Sequence, residues 1–211
     1  MHRVFTPYQS EAARRGTAKI KKRTLMKEVN STETIRAFET WIKAPVANKK
    51  RIVVFTGAGV SADSGIPTFR VPDGLWANYR IDEVCTPEAL ARNRAKVVEF
   101  YNLRRRETLS KGPNAAHRAI AELEKYFDVE VVTQNVDNLH ERAGSTRVTH
   151  LHGELTKLRS TANPDLIYPI EGWEQKLDAR AEDGSYLRPH IVFFGEAVPM
   201  FDRATRIVDK A

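Results

Sequence analysis

The chain has 211 residues, 41% of them hydrophobic and 29% charged, which is enough for one full-sized core and a small appended module. Its longest clean apolar runs are of the Ile52 to Phe55 kind, far short of the ~18 residues of a membrane span, and its one cysteine, Cys85, excludes an internal disulfide and a cysteine-based zinc cluster and fits a reducing, cytoplasmic setting. The net charge of +7 is uneven: residues 1–50 hold 12 Lys and Arg against 4 Asp and Glu, while residues 51–211 hold 22 against 23, so any reading that rests on bulk positive charge is confined to the first stretch.

That stretch (Arg14, Arg15, Lys19, Lys21, Lys22, Arg23, Lys27) has no interleaved aromatics for stacking on bases and no apolar run for secretion. It reads as a solvated tail, and nucleic-acid binding is not expected. Over residues 30–44, Ile35, Phe38, Trp41 and Ile42 mark an amphipathic helix that Ser31 or Thr32 could cap. Arg51 to Thr56 reads as a buried strand in the middle of a parallel sheet. Residues 71–87, with Pro72, Gly74, Trp76 and Pro87, show no periodicity and read as a long loop of the kind that closes over ligands. Thr86-Pro87 opens a helical run to Leu109 with a break near Asn93, and Asn114 caps a further helix ending near Tyr126. Val129 to Thr133 and Thr146 to His150 read as two more strands, so the alternation argues for an α/β fold with a mostly parallel sheet. After Gly153 the chain turns polar and irregular, and strand character resumes at Ile191 to Phe194. Residues 155–188 are expected to form a small inserted module.

Gly57-Ala58-Gly59-Val60-Ser61-Ala62 follows the first strand directly and fits the glycine-rich turn of dinucleotide-binding folds, whose bare backbone lets N–H groups approach a pyrophosphate. An acidic partner about 20 residues on would complete the dehydrogenase fingerprint; Asp82 and Glu83 have the spacing but sit in the loop, which disfavours plain hydride transfer. The longer string from Gly57 to Arg70 resembles the signature of the sirtuins, the NAD-dependent protein deacylases. Thr133 to His140, Leu151-His152-Gly153 and Arg188 to Glu196 resemble further blocks of that family in the same order.

The resemblance implies a Rossmann-like parallel sheet with a small inserted module. It divides the chain into a basic extension (1–30), the first part of the NAD-binding domain (31–154), the module (155–188) and a return to the NAD-binding domain (189–211). It implies that Gly57, Ala58, Gly59 and Ser61 contact the diphosphate side of NAD, and that Ile66, Pro67, Thr68, Phe69, Arg70 and Trp76 belong to the cofactor loop. Gln134, Asn135, Val136 and Asp137 would form the nicotinamide pocket, where amide and carboxylate groups fix the leaving group.

In the matching L-H-G motif the sirtuin histidine takes a proton from the NAD ribose, which makes His152 the expected base, with His150 and His117 read as structural. Tyr101 and Arg104 lie three apart on one helical face and resemble the Y-x-x-R pair of class III sirtuins, which binds the terminal carboxylate of succinyl, malonyl or glutaryl groups. Val192, Phe193, Phe194, Gly195 and Glu196 resemble the segment that pairs with an extended acyl-lysine peptide. Acylated-lysine proteins are the implied partners, with no membrane.

Two departures stand out. Most sirtuins bind a structural zinc through four cysteines in the module; this stretch has none and Ser160 stands about where the first would be, so no zinc is expected. The chain ends at Ala211, where the family continues into strands that bind the adenosine half of NAD, so the sheet is expected to lack its C-terminal strands. The implied activity is desuccinylation and demalonylation, with deacetylation, transferring the acyl group to ADP-ribose. The alternative is an impaired, truncated sirtuin that only binds acyl-lysine or ADP-ribose.

Overall fold

The computed structural model describes residues 50–68 and 78–211, together with Arg36; the basic extension, the expected helix over residues 30–44, and Phe69, Arg70 and Trp76 lie outside the described residues. Arg51–Thr56 forms β1, Asp128–Thr133 β2 and Val148–His150 β3, paired in parallel in the order β1-β2-β3 with Ile52 opposite Val129 and Thr56 opposite Thr133. The valines of β2 (Val129, Val131, Val132) are fully buried, as a strand covered on both faces requires. The strand expected at mid-sheet, β1, instead lies at an edge of the described sheet, and its Phe55 is 57% exposed. An unbroken apolar run does not distinguish a strand with two neighbours from one with a single neighbour.

Between β1 and β2 the helices follow their caps closely. The short α1 (Ala58–Ala62) starts at Gly57. α2 (Ile81–Val84) is a single turn inside the segment expected to be loop, too short to leave a periodic signal. The Thr86 hydroxyl accepts from the Ala89 N–H at 3.1 Å to open α3 (Pro87–Arg92). Asn93 ends α3 and begins α4 (Arg94–Leu109), its side chain accepting from the Lys96 N–H, which is the expected break. Asn114 caps α5 (Ala115–Leu123) in a reciprocal box with His117, whose Nδ1 accepts the Asn114 N–H at 3.3 Å. α6 (Leu139–Ala143) stops at Gly144, where φ is +109°, and α7 (Phe201–Val208) packs Ala204 and Ile207 against Val132 and Leu151.

The module is more regular than its sequence suggests. Gly153–Ser160 (β4), Ile167–Pro169 (β5) and Leu187–Ile191 (β6) make an antiparallel sheet in the order β5-β4-β6. A register shift between Glu154 and Leu158 moves the buried positions out of strict alternation, which hides the period of two on which a strand is read. The strand expected at Ile191 to Phe194 therefore ends at Ile191, belongs to this second sheet, and is followed by a turn. Val97, Phe100 and Tyr101 of α4 pack with Val84, Leu155, Ile191 and Phe193 in one core cluster that joins the module to the helices, each large side chain contributing about 1.5–3 kcal/mol. Buried Arg105 reinforces the junction, donating to the main-chain carbonyls of Leu155 (2.5 Å) and Trp173 (2.7 Å). No helix among the described residues is long and apolar enough to cross a membrane.

Candidate active site

All three parallel strands end at one edge, and the residues that follow them, at Gly57, Gln134 and Leu151, converge there, as ligand-binding residues of open α/β sheets do. A cavity of about 360 Å³ opens at this edge, bounded also by α4 and by the turn after β6. Ala58, Ser61, Ile66 and Pro67 line it from the glycine-rich turn, and Gln134, Asn135, Val136, Asp137 and His152 from the ends of β2 and β3. The acyl-pocket candidates Tyr101 and Arg104 line it together with Val192, Phe193, Phe194, Gly195 and Glu196. Of the described candidates, Gly57, Gly59 and Thr68 do not line it. Yet a Cβ on Gly57 or Gly59 would meet no protein atom within 4 Å, so neither glycine is required by internal packing, and their bare backbone leaves open the approach that a diphosphate needs.

The deep side is a closed polar network. Ser61, 1% exposed, donates to Asp137 Oδ2 at 3.0 Å and accepts from Asn135 Nδ2 at 3.0 Å. The other oxygen of Asp137 accepts the Leu139 N–H at 3.1 Å. Thr56 donates to Thr133, whose hydroxyl accepts the Asn135 N–H. Behind this lie His117 and His140, edge to face at 4.8 Å, His140 donating from Nε2 to Thr56 at 3.0 Å. Burial holds His117 below the ordinary imidazole value and, with His117 beside it, lowers His140 to about 4, so both are neutral at physiological pH.

The two histidines of the third strand end have different environments. His150 is buried; its Nδ1 donates to the Asn135 carbonyl at 2.8 Å and its Nε2 to Glu141 at 2.7 Å. Two acceptors require the imidazolium, and although burial opposes the charge, the Glu141 carboxylate raises the pKa overall. His152 is half-buried, and its Nδ1 donates to the Gln134 carbonyl at 3.0 Å. That bond selects the tautomer whose Nε2 lone pair remains available as a proton acceptor. The next residue must be glycine: Gly153 has φ +80°, and a Cβ there would meet the His190 carbonyl oxygen at 2.0 Å.

On the opposite wall, the Tyr101 hydroxyl donates to Cys85 Sγ at 3.4 Å, its ring stacks with Phe193 at 5.6 Å, and the Arg104 guanidinium lies 5.7 Å from the ring centroid. Burial pushes the Tyr101 phenol well above its usual range and the Cys85 thiol upward. The Val192, Phe194 and Glu196 N–H groups donate to the carbonyls of His152, Cys85 and Phe193, and the Phe193 N–H to the Glu196 carboxylate. A peptide laid along this segment would therefore find those donors taken and would bond mainly to its carbonyls, a narrower arrangement than full strand pairing.

The family model described as Sir2 family matches residues 57–211. The chain belongs to the Sir2 family. It is 56% identical over 159 residues to the NAD-dependent protein deacylase of Aggregatibacter actinomycetemcomitans, covering 75% of this chain and 76% of that one. It is 54% identical to the NAD-dependent protein deacylase of Bacteroides thetaiotaomicron, covering 77% and 71%. Among solved structures, a mutant Sir2 homologue bound to ADP-ribose superposes with a TM-score of 0.71 at 44% identity over 82% of this chain and 71% of that one. A Sir2 homologue–NAD complex gives 0.69 at 44% identity, covering 82% and 69%.

Within this Sir2 chain, several residues of the site leave little trace in sequence. Arg105 reads as part of a solvated arginine run, yet it is 0% exposed. His140 lies on a short helix, and its place behind Thr56 follows only from the sheet pairing. In the module, Ser160 donates to Asp183 at 2.7 Å and accepts the N–H groups of Ala162 and Asn163, so its hydroxyl is engaged in hydrogen bonds and offers no soft ligand. The residues there do not fit a thiolate zinc site, and among the described residues no cluster of three or more His, Cys, Asp or Glu side chains is arranged to hold a metal.

Proposed function

We propose that the chain is an NAD-dependent protein-lysine deacylase that favours acyl groups ending in a carboxylate, such as succinyl and malonyl, while also accepting acetyl. The observation that carries this reading is that one cavity joins His152, with its free Nε2, to the Asn135–Ser61–Asp137 network on one side and to Tyr101 and Arg104 on the other. The naming of the curated relatives as protein deacylases, and a related Sir2 mutant structure holding a deacetylated peptide with an acetylated ADP-ribose, support the same chemistry here.

NAD, when bound, supplies an electrophilic sugar carbon and nicotinamide as the leaving group. Asn135 and Asp137 hold the carboxamide: each is fixed by Ser61, and Asp137 keeps a lone pair on each oxygen beyond the bonds it accepts within the protein. The open backbone at Gly57 and Gly59 receives the diphosphate. His152 accepts at Nε2 the proton of a sugar hydroxyl, and its bond to the Gln134 carbonyl keeps the ring oriented for it. Arg104 pairs with the acyl carboxylate at the half-buried wall, where Tyr101 turns its hydroxyl from Cys85 to the ligand.

The test is nicotinamide release from NAD with succinyl-lysine and acetyl-lysine peptides, for the parent chain and Arg104→Met. Loss of one charge-assisted partner is worth about 1.5–3 kcal/mol, so kcat/KM for the succinyl peptide should fall roughly ten- to a hundredfold while the acetyl peptide is spared. Equal losses on both peptides would make Arg104 a structural residue. Absence of release with either peptide would overturn the enzymatic reading in favour of a binding protein.

A further inference from the structure

Behind the acyl wall lies a charged cluster that takes no part in the chemistry above. The Glu196 carboxylate accepts five hydrogen bonds: from Arg188 Nη1 at 2.5 Å and Nη2 at 3.1 Å, from Arg159 Nη2 at 3.3 and 3.1 Å, and from the Phe193 N–H at 2.7 Å. The side chains of Arg188, Arg159 and Glu196 are only 8%, 12% and 20% exposed. Two guanidinium groups on one carboxylate exceed what charge neutralisation requires, and the second charge finds another partner: the Arg188 guanidinium carbon lies 3.8 Å from the centroid of the Phe193 ring, a cation–π contact in a desolvated setting. Arg188 also donates to the Ile191 carbonyl at 3.1 Å. One side chain thus grips both ends of the turn after β6 and the ring between them.

Phe193 passes that constraint on. Its ring, 2% exposed, stacks on Tyr101 at 5.6 Å with an interplanar angle of 24°. Tyr101 in turn donates to the Cys85 thiol, which lines the cavity beside it and is 3% exposed, and carries the Arg104 guanidinium near its ring. The contacts run Arg188, Phe193, Tyr101, Arg104, and only the last three line the cavity.

We infer that Arg188 is a positioning residue that sets the acyl preference, holding Phe193 and, through it, the Tyr101–Arg104 wall in the geometry that receives a carboxylate. This rests on the deacylase reading for its effect on selectivity, but its structural half does not. Lysine at 188 would keep the charge opposite Glu196 and lose the flat fork that spans the carboxylate and covers the ring. Loss of that fork lets Phe193 shift, so Tyr101 releases the closely held Cys85 thiol and the carboxylate loses a preformed partner, whereas acetyl-lysine, which makes no such bond, is little affected.

Two readouts on Arg188→Lys and Arg188→Met decide it, each taken well below the melting midpoint of the variant concerned. The first needs no activity: Cys85 is the sole cysteine, so its rate of modification by an aromatic disulfide reagent reports the Tyr101–Phe193 wall directly. The expected rise is about tenfold in Arg188→Lys and more in Arg188→Met, since the reaction follows the population of the opened wall. The second is the succinyl-to-acetyl ratio of kcat/KM, expected to fall about tenfold with the KM for NAD unchanged. Parental Cys85 rates in both variants would overturn the inference, as would faster modification with an unchanged ratio in an active enzyme. If the parent chain releases no nicotinamide, the deacylase reading fails on that result, and the Cys85 rate still decides whether Arg188 holds the wall. Should Arg188→Met not fold, Arg188→Lys alone suffices.

Discussion

The deep side of the cavity and its acyl wall are built from different interactions. On the deep side, Thr56, Ser61, Thr133, Asn135 and Asp137 form a chain of hydrogen bonds in a buried setting, backed by two neutral histidines. On the wall, stacked rings and guanidinium groups carry the geometry, and ion pairs stand behind them. Hydrogen bonds of this kind fix positions closely and leave costly orphans when one member is lost, because a buried donor or acceptor then has neither protein nor water. Stacked groups tolerate small displacements and set shape instead. The first arrangement suits a ligand whose polar groups are constant, the second a pocket that must choose among acyl chains.

The largest expected effect lies where the two sides meet. His152→Ala should lower deacylation roughly 10²- to 10⁴-fold, since it removes the proton acceptor, while the melting temperature stays near that of the parent because the half-buried ring makes a single main-chain bond. Parental turnover, followed by mass spectrometry of the peptide, would contradict the assignment. Next comes Gly153→Ala. Its Cβ would lie 2.0 Å from the His190 carbonyl oxygen at a positive φ, and nothing flexible is there to yield, so stability should drop by roughly 3 kcal/mol. That corresponds to a fall of about 6–12 °C in Tm for a chain of this size, and a parental melt would show that β4 and β6 can separate without cost.

The two sides also differ in how far the sequence discloses them. The ends of β1, β2 and β3 follow from apolar runs that stop at polar residues, and His152, Asn135, Asp137 and Ser61 all meet in the expected cavity. Caps at Asn93 and Asn114 are local chemistry and are equally readable. The antiparallel module is not, because the register shift in β4 erases the alternation. Nor are the roles of Arg105 and Arg188, since their partners lie 50 residues away at Leu155 and across the turn at Phe193, and an arginine looks the same in sequence whether it meets water, a ring or a buried carbonyl. Glu196 shows the same limit from the other direction: it stands within the block expected to face the peptide, yet its carboxylate is taken by two arginines.

A matched pair of serines sharpens the contrast. Ser61→Ala strands Asn135 Nδ2 and Asp137 Oδ2 in a buried network and should cost about 1–3 kcal/mol, with a raised KM for NAD. Ser160→Ala removes more hydrogen bonds, to Asp183, Ser185 and the Ala162 and Asn163 N–H groups, but those partners belong to exposed or half-buried residues, so water can replace the serine and the cost should be about 1 kcal/mol or less. Equal melts for the two variants would erase the distinction between a sealed polar network and a solvated one.

The smallest effect is one of pH, and it separates the histidines by sign. His150 has its folded pKa raised above the ordinary 6.5 by Glu141, despite burial; its stabilisation is complete below about 6.5 and is lost as pH rises through the higher folded value. His140 is the reverse: burial lowers it from 6.5 to about 4, so its contribution is complete above about 6.5 and is lost as pH falls from there toward 4. Glu141→Gln deletes the first of these and bears on the second only as a lesser influence, behind burial, His117 and Asp137. Glu141 is 38% exposed, so the pair is partly screened and its loss should cost no more than about 1 kcal/mol. The gap in Tm between parent and variant should therefore be widest below about pH 6.5 and should narrow as pH rises through the raised folded value of His150, where the imidazole becomes neutral and a glutamine amide can donate to its Nε2. A constant gap from about pH 6 to 9 would mean that His150 does not change charge in that range, and that Glu141 acts through packing rather than as the partner of an imidazolium.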